Sequence, residues 1–282
     1  MKIENQLTNI EHQESNIETY PYKIMKKNVL LSLFILLGVY EGFSQRYNSN
    51  PNYERNDGPG FFSRFYKLKM GFKFSPGFLI NYVESSKNFK GFASNGANVR
   101  LSLGPVVDMY ITDKYAFSTG LWYTVKSVNY TMHGSFYDNE LFKTNPLTAD
   151  EIRGTEANFN LQYLQLPLTM KIFSDQILED TPIFLQFGGT LDLKIAEKAL
   201  DKPRNALYQF QERLATSQSI FGLGDIGLLI GIGAEKSLNR GGDAFFFGIQ
   251  YQRGLTEINR DRTFGDLVTK NGAFYLDFGV KF

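Results

Sequence analysis

Asn271-Gly-Ala-Phe-Tyr-Leu-Asp-Phe-Gly-Val-Lys-Phe282 alternates with period two. Phe274, Leu276, Phe278, Val280 and Phe282 fall on one side, while Ala273, Tyr275, Asp277, Gly279 and Lys281 fall on the other. Successive side chains of an extended chain point to opposite faces, so this is a β-strand with one uniformly apolar face. A soluble sheet can show this pattern, but here it stops on Phe282 and follows several strands of the same kind.

Seven earlier segments repeat the pattern. Leu68, Met70, Phe72 and Phe74 alternate with Lys67, Lys69, Gly71, Lys73 and Ser75. Asn98 to Tyr110 sets Val99, Leu101, Leu103, Val107 and Met109 against Arg100, Ser102, Gly104 and Asp108. Tyr115 to Tyr130 sets Tyr115, Phe117, Leu121, Tyr123 and Val125 against Ala116, Ser118, Gly120, Trp122, Thr124 and Lys126. Phe159 to Phe173 carries Leu164, Leu166, Leu168, Met170 and Ile172 against Tyr163, Gln165, Thr169 and Lys171, with Pro167 removing one ladder donor. The remaining three begin near Ile183, Asp225 and Ala244, and their polar sides include Asp192, Lys194 and Glu235. Eight strands of about 9–11 residues, apolar on one face and polar on the other, match the demand of a bilayer, where every backbone polar group must be paired and no edge left open. The expectation is an all-β fold, an eight-stranded antiparallel transmembrane barrel of the outer membrane type.

Connection lengths point the same way. Thr112–Lys114, Ser174–Asp180 and Ser237–Asp243 are short, and they alternate with the long Phe78–Ala97, Thr131–Asn158, Ile195–Gly222 and Leu255–Lys270. Short inner turns and long external loops are usual for such barrels, and an even strand number puts both termini on the periplasmic side. A soluble sandwich would have to turn its apolar face inward and leave Lys73, Arg100, Lys126, Lys171 and Lys281 on water-facing strands. In a barrel this narrow, side chains fill the interior. Lys73, Arg100, Asp108, Lys126, Lys171, Asp192, Glu235, Asp277 and Lys281 are therefore expected as a charge network inside.

Composition agrees. The chain has 26 Phe, 16 Tyr and 26 Gly, yet mean hydropathy is only −0.25, because alternation dilutes apolar residues that a membrane helix would concentrate. The longest apolar run, Val29–Tyr40, has 12 residues, against the roughly 20 of a helical span. There is no Cys, which excludes disulfides, a thiol nucleophile and a lipidated Cys.

Domain organisation follows from the first 66 residues. Residues 1–24 are polar and read as an upstream extension of a start at Met25, or as an extended n-region. Residues 25–44 carry the basic Lys26-Lys27, the apolar Val29–Val39 and a small-x-small site at Gly42-Phe43-Ser44, which reads as a signal peptide cleaved between Ser44 and Gln45. Residues 45–63 read as a flexible periplasmic lead, and 64–282 as the barrel. Removing the 4 Lys and 5 Glu of residues 1–44 leaves 26 basic and 24 acidic residues, a balance that gives no footing for nucleic acid.

No segment has the context of a catalytic or cofactor site. Gly222-Leu-Gly-Asp-Ile-Gly227 matches a dinucleotide fingerprint literally, but a loop precedes it and a strand follows, the reverse of what that fold requires. His133, near Ser135 and Asp138, is the single His after the export signal, so there is no His cluster for a metal. The expectation is a non-enzyme without cofactor or metal. Ala196–Thr216, with Leu200, Leu207, Phe210 and Leu214 among charged residues, reads as a short amphipathic helix, either a packed loop lid or a docking surface for a partner.

Tyr163-Leu-Gln-Leu-Pro-Leu-Thr-Met-Lys171, Asp225-Ile-Gly-Leu-Leu-Ile-Gly-Ile-Gly-Ala-Glu235 and Gly248-Ile-Gln-Tyr-Gln-Arg-Gly-Leu-Thr-Glu-Ile258, closing on Phe282, resemble the PorT-type outer membrane β-barrel proteins of the Bacteroidetes. The likeness spans about Tyr66 to Phe282. It implies an eight-stranded barrel inserted by the outer-membrane assembly machinery, with Phe282 as part of the assembly signal. The founding member of that family is implicated in type IX protein secretion, so envelope and secretion-system proteins are the partners that the resemblance implies, alongside outer membrane lipid. A small pore and a lipid-acting enzyme at the loop rim are the alternatives.

Overall fold

In the computed structural model, the described residues are 67–85, 89, 91–132, 155–174, 181–213, 219–238, 243–259 and 266–282. The export signal, its Ser44/Gln45 site, the 45–63 lead and the His133 loop lie outside them.

Ten strands make eight staves. They are β1 Lys67–Ser85, β2 Ala93–Ser94, β3 Ala97–Tyr110, β4 Tyr115–Gly120, β5 Trp122–Thr131, β6 Glu156–Phe173, β7 Ile183–Ala199, β8 Gly224–Ser237, β9 Ala244–Gly254 and β10 Leu267–Lys281. β4 and β5 form one stave, and β2 is a short flap on β5. Every neighbour in chain order pairs antiparallel, and β1 closes the ring by pairing with β10 on one side and β3 on the other. At the closing seam Phe282 joins the ladder through its amide, which donates to the Met70 carbonyl at 2.8 Å, and its carbonyl, which accepts from the Met70 amide at 3.2 Å. Among the described residues no helix is long and apolar enough to cross a membrane; the strands are the crossing elements.

One end of the barrel carries the short connections. Thr112 Oγ1 accepts from the amides of Lys114 and Tyr115, both at 3.2 Å, which closes the β3–β4 turn where the sequence predicts it. We refer to this as the turn end and to the opposite one as the loop end.

The outer wall is apolar in a band. Phe72, Phe74, Phe78, Leu168, Phe187, Leu191, Ile230, Ile232, Phe247, Ile249, Phe274, Leu276 and Phe278 are all exposed, while the alternate residues Lys73, Ser75, Ser118, Thr124, Gln165, Lys171, Thr190 and Gln250 are buried inside. This is the reverse of a soluble barrel and fits a hydrocarbon surround.

Two expectations need correction. The strands run further toward the loop end than the alternation predicts. β1 continues to Ser85, β7 to Ala199, and β10 starts at Leu267, so parts of the expected loops Phe78–Ala97, Ile195–Gly222 and Leu255–Lys270 are strand. The reason is a change of polarity within single strands. In β6, Leu164, Leu166, Leu168, Met170 and Ile172 face out, but above them the outward residues are Asn158, Asn160 and Gln162, and Ala157, Phe159, Leu161 and Tyr163 face in. Beyond the apolar band the barrel thus becomes an ordinary soluble one.

The second correction concerns Pro167. β6 continues through it, with Pro167 opposite Thr190 of β7, and the interruption falls on the neighbouring stave, split at Leu121. Leu121 lies between Pro105 on β3 and the Leu166-Pro167 stretch of β6, so ladder donors are lost on both flanks. Close approach replaces them. A Cβ at Gly104 (φ 156°) would meet the Leu121 carbonyl at 2.3 Å, and one at Gly120 the Pro105 carbonyl at 2.3 Å; Leu121 still donates its amide to Pro105 at 3.2 Å.

Candidate functional site

The lumen holds the charges that the alternation turns inward, stacked in three tiers. Nearest the turn end, Asp108 accepts from Lys171 (2.9 Å) and Lys281 (2.5 Å) and from the Ser118 hydroxyl at 2.5 Å. Lys281 bridges onward to Glu235, which also takes Lys69 at 2.7 Å and the Tyr110 hydroxyl at 3.3 Å. The aromatic rings of Phe184 and Phe246 lie against the ammonium of Lys171, at 5.0 and 5.6 Å. In the middle tier Lys73 pairs with Asp277 at 3.3 Å and lies 3.5 Å over the Trp122 ring. In the upper tier Lys126 bridges Asp192 (2.5 Å) and Asp225 (3.0 Å), and Thr256 donates to Asp225 at 2.7 Å. Bare charges so placed would carry a desolvation cost of several kcal/mol each, which only pairing offsets.

Strand parity explains the tiers. β1, β3, β5, β6, β7, β8 and β10 each place one or more ionisable groups on the inward side, and the fixed register brings residues 46 to 204 positions apart into contact. Five ammoniums, from Lys69, Lys73, Lys126, Lys171 and Lys281, face five carboxylates, from Asp108, Asp192, Asp225, Glu235 and Asp277.

Of the charges expected inside, Lys73, Asp108, Lys126, Lys171, Asp192, Glu235, Asp277 and Lys281 are buried there. Arg100 departs from the expectation. β3 is ladder-bonded to β5 only through Ser102 and Leu103; above that point the strands part, and the half-buried Arg100 turns its guanidinium to the Val99 carbonyl at 2.8 Å. Lys194, at the loop end, is tied to Glu197 and to the Phe221 carbonyl, each at 2.5 Å, which pins the returning chain to β7.

Sequence reasoning missed the seal above the tiers. Asn81 and Asn271 form a polar layer, with Asn81 donating to Asn271 at 3.0 Å and to the Ser127 carbonyl at 2.9 Å. Over it lies an apolar core of Phe89, Phe92, Val128, Tyr130, Phe159, Leu161, Leu207, Phe210, Phe221, Ile258 and Leu267. A helix of about two turns, α1 Ala206–Arg213, closes it. Asn205 caps α1, its Oδ1 accepting from the Tyr208 amide at 3.1 Å while its amide donates to the Asn158 carbonyl at 2.7 Å. Ala206, Leu207 and Phe210 are fully buried, so this stretch is a packed lid. The expected helix over Ala196–Thr216 is shorter because Ala196–Ala199 extend β7. The signal was in the sequence: Phe159, Leu161 and Tyr163 have the opposite parity to Leu164–Ile172.

Open space is small where it matters. A cavity of about 10 Å³ lies beside Lys126, bounded by Thr190, Gln252 and Asn271; the larger one, about 490 Å³, is a vestibule at the turn end floored by Lys69, Tyr110 and Glu235. Among the described residues no group of three or more His, Cys, Asp or Glu is placed to hold a metal. Gly222–Gly227 runs straight into β8, so it has no helix at which to seat a dinucleotide.

Residues 35–260 match the family described as "Outer membrane protein beta-barrel domain". No curated protein matches the sequence. Solved structures similar to it include OprG from Pseudomonas aeruginosa, at 14% identity over 76% of this chain and 95% of that one, with a TM-score of 0.44. Neisserial surface protein A (NspA) is 13% identical over 75% and 97%, with a TM-score of 0.37. Ail, the attachment invasion locus protein of Yersinia pestis, is 10% identical over 77% and 99%, with a TM-score of 0.36.

Proposed function

The chain belongs to the outer membrane protein beta-barrel domain family, and from that premise we propose that it is a non-catalytic accessory barrel whose loop end binds other envelope proteins. The observation that carries this reading is the filled interior. Paired charges occupy the lumen in tiers, and an apolar core roofs them, a filling that argues against conduction; the roomier space is the vestibule at the turn end. What the described residues present to the surroundings is an apolar wall and, at the loop end, strands that extend past it.

The resemblance to PorT-type barrels makes the type IX secretion apparatus the first partner to seek. Crosslinking in cells followed by purification from detergent-solubilised outer membranes is expected to recover the barrel with secretion-system components. A clean monomer with nothing crosslinked to it removes the accessory reading; capture of a different envelope complex keeps that reading and replaces the secretion assignment.

A further inference from the structure

On the outer wall, toward the loop end, one cation lies among aliphatic and aromatic residues. Arg253 is the last outward side chain before β9 ends at Gly254. It is exposed, and among the described residues no carboxylate pairs with it. Its ladder neighbours are Leu228 on β8 and Gly272 on β10. Gly272 has no side chain to separate Arg253 from β1, and the Tyr82 ring fills that gap so closely that a Cβ on Gly272 would meet it at 2.7 Å. The guanidinium consequently lies 4.7 Å over the Tyr82 ring. The Tyr82 hydroxyl is 3.3 Å from that of Tyr251, whose ring packs on Phe274 at 4.7 Å.

We propose that Arg253, set on Tyr82 beside the Tyr251 hydroxyl, is a seat for the phosphate headgroup of a membrane lipid. The exposed Phe274 and Ile249 on the turn-end side of Arg253, with Leu228 beside it, offer acyl chains an apolar surface from which a headgroup phosphate reaches the guanidinium. A guanidinium held over an aromatic ring by its cation–π attraction has N–H groups left to donate, in the fork that matches phosphate oxygens two at a time. The paired hydroxyls supply a further donor at the same level. Lys270, opposite Tyr82 in the β1–β10 ladder, adds positive charge but also faces Glu257, whose carboxyl burial pushes up and Lys270 draws down. Arg253 is for that reason the residue on which the seat depends.

Native mass spectrometry of the full chain released from detergent micelles tests this, with short-chain phosphatidic acid as the probe. Diacylglycerol of the same chain length and inorganic phosphate are the controls. The wild type is expected to retain one phosphatidic acid and no diacylglycerol. Arg253→Gln is expected to weaken retention about tenfold, the scale of a charge-assisted bidentate contact. Arg253→Lys keeps the charge without the fork and is expected to lose about threefold, which covers the case in which the glutamine variant does not insert. Equal retention by wild type and lysine variant, or equal retention of diacylglycerol, overturns the seat. Competition by inorganic phosphate at the same concentration as the lipid overturns the lipid source and leaves a free-anion site.

Discussion

Asp108 is the acceptor that Lys171 and Lys281 share in the lumen. Asp108→Ala leaves the Lys171 ammonium without a carboxylate and Lys281 with Glu235 alone, and is expected to destabilise the barrel by about 3–5 kcal/mol, read from urea titration of the folded band in lipid vesicles. The isolated pair behaves differently. Replacing Lys73 and Asp277 together by Met and Leu removes both charges at once, so the double variant is expected to stay within about 1 kcal/mol of the parent in the same titration, while either single change costs more. Which residues face inward is readable from parity alone, and Lys73, Asp108 and Lys281 declare themselves that way. Which lysine meets which carboxylate is not, because contacts such as Lys73–Asp277 bridge 204 positions and depend on a register set by all the intervening strands. Arg100 shows the same limit from the other side, as parity points it inward but its guanidinium donates to the Val99 carbonyl where β3 no longer pairs with β5.

Within β6, nine residues from Leu164 to Ile172 obey one rule and the seven before them the opposite one. Substitutions on the outward side should therefore differ sharply with height. Leu168→Arg places a charge against hydrocarbon and is expected to cost about 2–4 kcal/mol; Asn160→Arg, outward on the same strand but above the band, is expected to cost about 0–1. Unfolding of the two variants in vesicles of one lipid composition compares them directly, and equal penalties would put the edge of the band elsewhere. The lower half of β6 is readable as a membrane strand because its apolar residues keep a single parity. The upper half is readable as strand from Phe159 but not as a soluble-type wall, since Phe159, Leu161 and Tyr163 fall out of phase with Leu164 onward. The same shift hides the loop-end extensions of β1, β7 and β10.

At the scale of the barrel, the described residues fill the lumen with paired charges and roof it with an apolar core. Planar-bilayer recordings on the purified barrel are expected to stay silent, and steady currents that vanish on neutralising Lys73 would restore the pore as the working alternative. Eight staves, their alternation and their closure through β1 and β10 follow from sequence periodicity together with the rule that a membrane sheet has no free edge. The roof does not, because it is assembled from Phe89, Phe159, Phe210, Phe221 and Ile258, which lie on five separate segments and share no local pattern. The reversal inside β6 has one more effect. Sinking the barrel by two residues would drag Gln162 into hydrocarbon, and raising it by two would lift Leu164 into water. The strand is thus its own depth gauge, fixing how far the rim projects beyond the lipid, and so the height at which any neighbouring complex must reach to touch it.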